Sequence, residues 1–418
     1  MWLLALMILI MPYEANPYLY IAPNLLGVFP DFTVIKLLGL VGFAWASLRL
    51  VGGHPHAALL SSRPATLFLL FFCGVVLSGI LWGTGFTAVS RYLAFLMFLP
   101  LVLAAVSTPV RLGLTLQLMV LSLVLVFPYA LRQMLRFNER LGVGLYETNY
   151  FATILVLVIP LAFVFASQAS TQARRWLWTG AGLVLVLELF LTSSRGGFLG
   201  LLVAGMVFVY RRRGMVGAMG VLALLLLGLI VIPTDLGARL WTMFDSHAET
   251  ITPAGLEASN KAHVALFFAA LQMIVDNPLW GVGPLNFKGW STAYTGLDQA
   301  NIAHNSFLEI AAEFGLPVFL VWMLLLFATF RILNRATRLG GSPEGRRLAG
   351  WAEGLRSGLL GFLVAGCFIS AQYEKLLWLA VFLTIVLARF AAQVRAVEAA
   401  EIAGDDDVAL EPAPAPVR

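Results

Sequence analysis

The sequence predicts an all-α, polytopic membrane protein of about twelve transmembrane helices, with a helical loop folded over one face. Composition points there first: the 418 residues are 60% hydrophobic and 12% charged, against roughly 25% charged in a soluble domain. Mean hydropathy is +0.88. Apolar runs of about 18 or more residues, each long enough to cross a bilayer as a helix, recur from end to end. That run length excludes a β-barrel, whose strands are short and alternating.

Taken in order, the apolar segments fall near 2–12 (reaching towards 22), 32–51, 65–82, 88–106, 112–131, 148–168, 174–192, 196–210, 216–233, 306–330, 355–371 and 373–391. The first has no basic n-region and no small-residue cleavage site, so it reads as a retained span and not a signal peptide. Residues 1–391 form one membrane domain. Residues 392–418 end in GDDDVALEPAPAPVR, an acidic, Pro/Ala-rich tail expected to be disordered and cytoplasmic. Cys73 and Cys367 lie inside apolar runs without metal-ligand spacing and read as small buried hydrophobes. The net charge of +5 comes from residues scattered at span ends. Nucleic acid is therefore not an expected partner, and membrane lipid is.

Orientation follows from the basic clusters. Arg211–Arg213 and Arg331–Arg356 fall on one side of a twelve-span path, which the positive-inside rule makes the cytoplasm. Three polar stretches then face outward: 132–147, the turn Thr192-Ser193-Ser194-Arg195-Gly196-Gly197, and the long loop 234–303. Within that loop, 257–276 reads as a helix with apolar positions Ala262, Leu266, Ala269 and Met273, too polar at its start to span, and is expected to lie across the outer face as a lid.

Chemistry has few places to be. His304 precedes Asn305 and Ser306-Phe307-Leu308-Glu309, an S-x-x-E capping box at the start of a span. A helix N-terminus favours anions and disfavours imidazolium, so His304 is a candidate proton acceptor, or else a histidine finishing a cap. Arg195 lies at the membrane surface between two apolar spans, where its guanidinium fork suits a phosphate; the alternative is an ion pair with Glu188, read as its structural partner. The outward basic residues Arg91, Arg132, Arg136, Arg140, Arg239, Lys261 and Lys288 form either a positive field over the site or ordinary interfacial anchors. There is no Walker lysine, no GxGxxG after a strand and no outward carboxylate pair, so neither a cofactor nor a metal is assigned. A transporter or flippase would want several deep charges and related halves, and only Glu188 is clearly deep.

Four blocks resemble the O-antigen ligase and O-antigen polymerase family of bacterial polysaccharide assembly: GLYETNYFATILVLVIPLA (144–162), TSSRGGFLGLL (192–202), DNPLWGVGPLNF (276–287) and AHNSFLEIAAEFGLPVFL (303–320). The resemblance covers roughly 140–330. It implies a GT-C-like fold in the bacterial inner membrane with a site facing the periplasm. It also implies metal-independent glycosyl transfer from an undecaprenyl-diphosphate-linked glycan to lipid A core or another glycan. His304 matches the family's catalytic histidine, Arg195 an arginine associated with the donor diphosphate, and Asn149 an asparagine following the fifth span. One departure stands out. Members often carry an arginine about four residues before an aromatic ahead of the DNPL block, and here that slot reads His263, followed by Phe267. The lid's donor contacts are then expected from Lys261, Arg239 or Lys288, with Arg136 and Arg140 alongside.

Overall fold

A computed structural model describes residues 1–14, 16–25, 29–137, 139–143, 147–231 and 254–403. Thirteen helices are found among them: α1 (Trp2–Ile10), α2 (Val34–Val51), α3 (Arg63–Leu81), α4 (Gly85–Ala105), α5 (Pro109–Phe137), α6 (Thr148–Ser167), α7 (Gln172–Leu191), α8 (Arg195–Val231), α9 (Ala254–Asp276), α10 (Phe287–Thr295), α11 (Ser306–Ala336), α12 (Pro343–Ala365) and α13 (Lys375–Ala403). Seven of these are long and apolar enough to cross a membrane. The others assigned as spans from the sequence are helical but shorter or more polar.

Three features differ from the expectation. An antiparallel pair, β1 (Tyr20–Leu25) and β2 (Phe29–Thr33), precedes α2, with Tyr20 opposite Thr33 and Leu25 opposite Phe29. In the sequence its first strand reads as the tail of the first apolar run. α13 continues through Ala403, past the boundary set at 391, because 392–403 (AQVRAVEAAEIA) is rich in good helix formers. The rest of the tail lies outside the described residues. Cys73 and Cys367 are free and exposed on the surface of the bundle instead of buried.

The helices alternate in direction. At one end the close of α1 meets the start of α13 through a Glu14–Lys375 ion pair, and Leu141 N–H donates to Leu191 O at the close of α7 at 3.1 Å. The start of α11 meets the close of α12 there too, where Ser306 N–H donates to Gly366 O at 2.8 Å. At the opposite end Gln168, after α6, donates to the carbonyls of Arg346 and Arg347 in the first turns of α12 at 3.4 and 3.1 Å. A buried Glu353–Arg356 pair (2.7 Å) is also reached by Arg211 of α8 there.

Small residues set the close approach of α6, α8 and α12. A Cβ on Gly358 would fall 2.0 Å from Leu157 O, and one on Gly361 would fall 2.5 Å from Gly200 O. Without water between helices, packing of this kind drives association in a bilayer. An aromatic core of Phe68, Phe71, Tyr92, Phe95 and Trp378 fills the centre of α3, α4 and α13.

Two helices are broken, one of them between two expected spans and the other inside one. α8 contains a non-helical residue at Gly214 (φ 64°), which separates two apolar arms much as the sequence suggests. α11, read as one span from 306, breaks at Gly315 (φ 82°, ψ 168°) just before Pro317. The carbonyls freed by that break must find donors in an apolar setting. The DNPLWGVG segment supplies two of them, Val282 N–H donating to Ala312 O (2.8 Å) and Gly283 N–H to Glu313 O (2.9 Å), and it accepts in return from Leu316 N–H at Pro278 O (2.7 Å). The Ser78 hydroxyl of α3 lies within reach of both sides of the junction, at 3.2 Å from Glu313 O and 2.9 Å from Trp280 O. The two blocks that read as separate motifs are thus one backbone junction.

Candidate functional site

The junction presents His304. Asn305 caps α11, its Oδ1 accepting from the N–H groups of Phe307 (3.0 Å) and Leu308 (3.1 Å). The capping box read from Ser306 and Glu309 does not form: the cap lies one residue earlier, at Asn305, while Ser306 N–H is taken by Gly366 O and Glu309 N–H by Asn305 O. Ser306 and Glu309 do something else. Ser306 Oγ donates to Ile369 O and accepts from Ala371 N–H, both at 2.8 Å. Glu309 accepts from Ala303 N–H (3.0 Å), from Gln372 Nε2 (2.8 Å) and from the Ser370 hydroxyl. One turn on, Glu313 accepts from Phe287 N–H (3.3 Å) and from the Tyr373 hydroxyl (3.1 Å). These two buried carboxyls tie the start of α11 to the loop before it and to residues 370–373.

His304 itself adopts φ 51°, a left-handed conformation that a non-glycine residue keeps only where its surroundings dictate it. Here they do: Ala303 is held by Glu309, Asn305 is the cap, and Ser306 is bonded to Gly366. The ring is half-buried and lies against that of His263, with centroids 4.5 Å apart and planes at 56°. Burial, with a smaller push from His263, lowers the His304 pKa from 6.5 to about 4. His263 is lowered by burial and then by the positive charge of Arg195. Both imidazoles are therefore neutral near pH 7, and Arg195 is electrostatically coupled to the pair.

α9 brings His263 there. Its Leu266, Ala270 and Met273 form a separate core with Val282, Phe287, Ala303 and Ala312, so the helix packs on the broken part of α11. Of the four apolar positions in the sequence pattern, Leu266, Ala269 and Met273 are buried and Ala262 is half-buried.

Arg195 is the first residue of α8, half-buried. Ser194 caps that helix by accepting from Gly197 N–H at 3.2 Å, and Ser193 is another left-handed non-glycine residue (φ 50°). The free N–H groups of a helix start therefore share Arg195's location, an arrangement that favours an anion. Gly196 and Gly197 serve packing more than ligand approach: added Cβ atoms would fall 2.9 Å from Phe368 Cβ and 2.7 Å from Ala152 Cβ.

The remaining sequence candidates divide. Arg140 donates from Nε to Thr192 O (2.7 Å) and from Nη2 to Asn149 Oδ1 (3.1 Å), so it braces the Arg195 turn against α6. Asn149 in turn donates to Glu147. Arg91 stacks over Tyr373 at 5.4 Å and so joins this end through Glu313. Lys261 is exposed on α9, two residues before His263, and Lys288 is exposed on α10. Arg136, exposed, lies over Phe137 at 5.4 Å on the last turn of α5. Arg239 lies outside the described residues. Glu188 is not seen to partner Arg195: it is fully buried, and neither carboxyl oxygen has a hydrogen-bond partner among the described residues. It precedes Arg195 by two turns, but α7 ends at Leu191 and the chain reverses, so the side chain stays inside the bundle.

Sequence reasoning passed over Glu313, Gln372 and Tyr373 as site-builders and noted His263 only as a departure. Glu313 is four residues after Glu309 and therefore on the same helical face, a signal that was there to use.

The fold and this site define a multi-pass helical membrane protein whose polar groups converge at one end of the bundle. Residues 180–323 match the family model described as O-Antigen ligase, a segment that contains Arg195, α9 and His304; the match supports the O-antigen ligase/polymerase family. No curated protein matches the chain.

Proposed function

We propose that the protein is a glycosyltransferase of surface-polysaccharide assembly. In this reading it moves an undecaprenyl-diphosphate-linked glycan onto an acceptor hydroxyl at the periplasmic face of the inner membrane, with twelve crossings and a GT-C-like arrangement. One observation carries the reading: a neutral, conformationally fixed His304 sits against His263, which in turn feels Arg195 at a helix start. A base for the acceptor and a cation for the donor diphosphate thus lie on two sides of one imidazole pair.

The chemistry follows from charge. The acceptor oxygen attacks the anomeric carbon as its proton passes to the His304 imidazole. The bond from that carbon to the diphosphate oxygen breaks, and its electron pair leaves with the lipid diphosphate. Arg195 and the N–H groups at the start of α8 stabilise the growing negative charge, and attack opposite the leaving group inverts the anomeric centre. Lys261, Lys288, Arg239, Arg136 and Arg140 contribute to the positive field, Arg140 mainly by holding the Arg195 turn and Asn149 in place. No step calls for a metal.

The acceptor class separates two readings that share this geometry. Cells lacking the protein should lose long glycans from lipid A core while lipid-linked polymer accumulates, as for a ligase. Single repeat units remaining on the core would instead make it a polymerase, and an unchanged surface glycan would overturn the proposal.

A further inference from the structure

At the far end of the bundle from His304, a cavity of about 500 Å³ opens between α5, α6, α7 and α12. Arg174 in the first turn of α7 and Leu191 at its end are 17 residues apart, or roughly 25 Å at 1.5 Å per residue. This cavity therefore belongs to neither the donor nor the acceptor of the proposed reaction.

Its lining has two characters. Arg174, Arg347, Gln117 and Gln168 supply polar groups at the rim, and the lining holds no acidic residue. Neither arginine has a salt bridge among the described residues. Gln168 is not free to turn inward, because its amide is bonded to the carbonyls of Arg346 and Arg347 and so fixes where Arg347 emerges. α7 begins here, capped by Thr171, so its positive end lies at the rim beside Arg174. Behind the rim the walls are apolar: Leu114, Leu177, Phe165 and Trp178, with Trp351 buried and its Nε1–H lacking an acceptor among the described residues.

We propose that this cavity binds an anionic glycerophospholipid, its phosphodiester between Arg174 and Arg347 and an acyl chain along Leu114 and Leu177. Charge complementarity selects the headgroup. The exposed apolar faces of Leu114 and Leu177 continue from the cavity onto the outside of the bundle, where a chain would lie. Basic recesses between membrane helices take such headgroups. The occupant would clamp α6, α7 and α12, whose opposite ends carry Asn149, the Arg195 turn and Gly366, so binding steadies the elements that frame the site without touching it. The proposal is independent of the reaction assigned to that site.

The test is native mass spectrometry of the detergent-purified protein titrated with phosphatidylglycerol or phosphatidylcholine, with thermal unfolding alongside. Phosphatidylglycerol should bind more tightly and raise the unfolding temperature. The exposed pair Arg174→Gln/Arg347→Gln should weaken it by about 30-fold, the loss expected for two interfacial cations. Arg175→Gln/Arg338→Gln, two exposed arginines at the same end that do not line the cavity, should leave it unchanged. Equal binding of the two lipids, parent-like affinity in the first variant or an equal loss in the second would overturn the proposal. So would displacement of phosphatidylglycerol by inorganic phosphate at matched concentration, which would indicate a free-anion site.

Discussion

Gly315→Ala should collapse the architecture around His304 while deleting no functional group. The residue adopts φ 82° and ψ 168°, a region open essentially to glycine alone, which costs another residue about 1–3 kcal/mol. The added Cβ would lie 2.4 Å from Leu279 O and 2.5 Å from Leu279 C. Those are backbone atoms of the segment that crosses the break, so relief requires moving the segment, and overpacking of this kind costs a further ~1–3 kcal/mol. Moving it stretches the bonds from Val282, Gly283 and Leu316 that satisfy the junction. The sum, about 2–6 kcal/mol, is a large share of the stability of an ordinary fold. Gly289→Ala is the matched control: it lies inside α10 with nothing within 4 Å of its added Cβ, and alanine should help that helix by about 0.5–1 kcal/mol. Thermal unfolding of the purified proteins and turnover of a lipid-linked donor provide the comparison. A Gly315→Ala protein that unfolds with the parent and keeps its turnover refutes the reasoning, as does equal damage from Gly289→Ala.

Other consequences can be checked separately. Because the His304 pKa falls from 6.5 to about 4 in the folded protein, the acid limb of kcat/KM should lie near 4; a limb near 6.5 would mean the imidazole is not in this environment. The unfolded chain binds more protons between those values, so stability held above pH 6.5 should decline as pH falls towards 4, and chemical unfolding across that window measures it. Arg195→Lys keeps the charge but loses the bidentate fork, so activity should drop at least tenfold with normal expression; full activity in Arg195→Ala would remove the diphosphate role. A cysteine replacing Thr295 should react with an impermeant thiol reagent added from the periplasmic side and one replacing Gly341 should not, and the reverse pattern would place the site on the wrong face.

How much of this was legible differs by level. Apolar run length located the helices, because crossing a bilayer leaves little freedom in composition. Helix α9 was visible through Ala262, Leu266, Ala269 and Met273, a helical stripe too polar at its start to span. The break at Gly315 was not, since the run from 306 to 330 stays apolar through it and only the Gly-Leu-Pro string hints at it. The capping assignment slipped by one residue because Asn305 and Ser306 are both good caps, and only tertiary contacts to Gly366 and Ile369 decide between them. His304 and Arg195 could be singled out because polar groups at membrane depth are few. Their coupling through His263 could not, because it depends on how α9 docks across sequence separations that no local pattern encodes. Glu188 failed as a partner for a related reason: nearness in sequence across a helix end does not survive the reversal of the chain at Ser193.

The central claim is that His304 accepts the acceptor proton while Arg195 holds the donor. The most direct measurement is single-turnover transfer from a purified lipid-linked donor by His304→Ala, with donor binding recorded on the same sample. Asn305, Ser306 and Glu309 still hold α11 when the imidazole is gone, so the protein should fold and bind donor as the parent does. Transfer should fall by about 10²–10⁴, the usual contribution of a general base. Transfer within tenfold of the parent, or donor binding lost in step with transfer, would contradict the account.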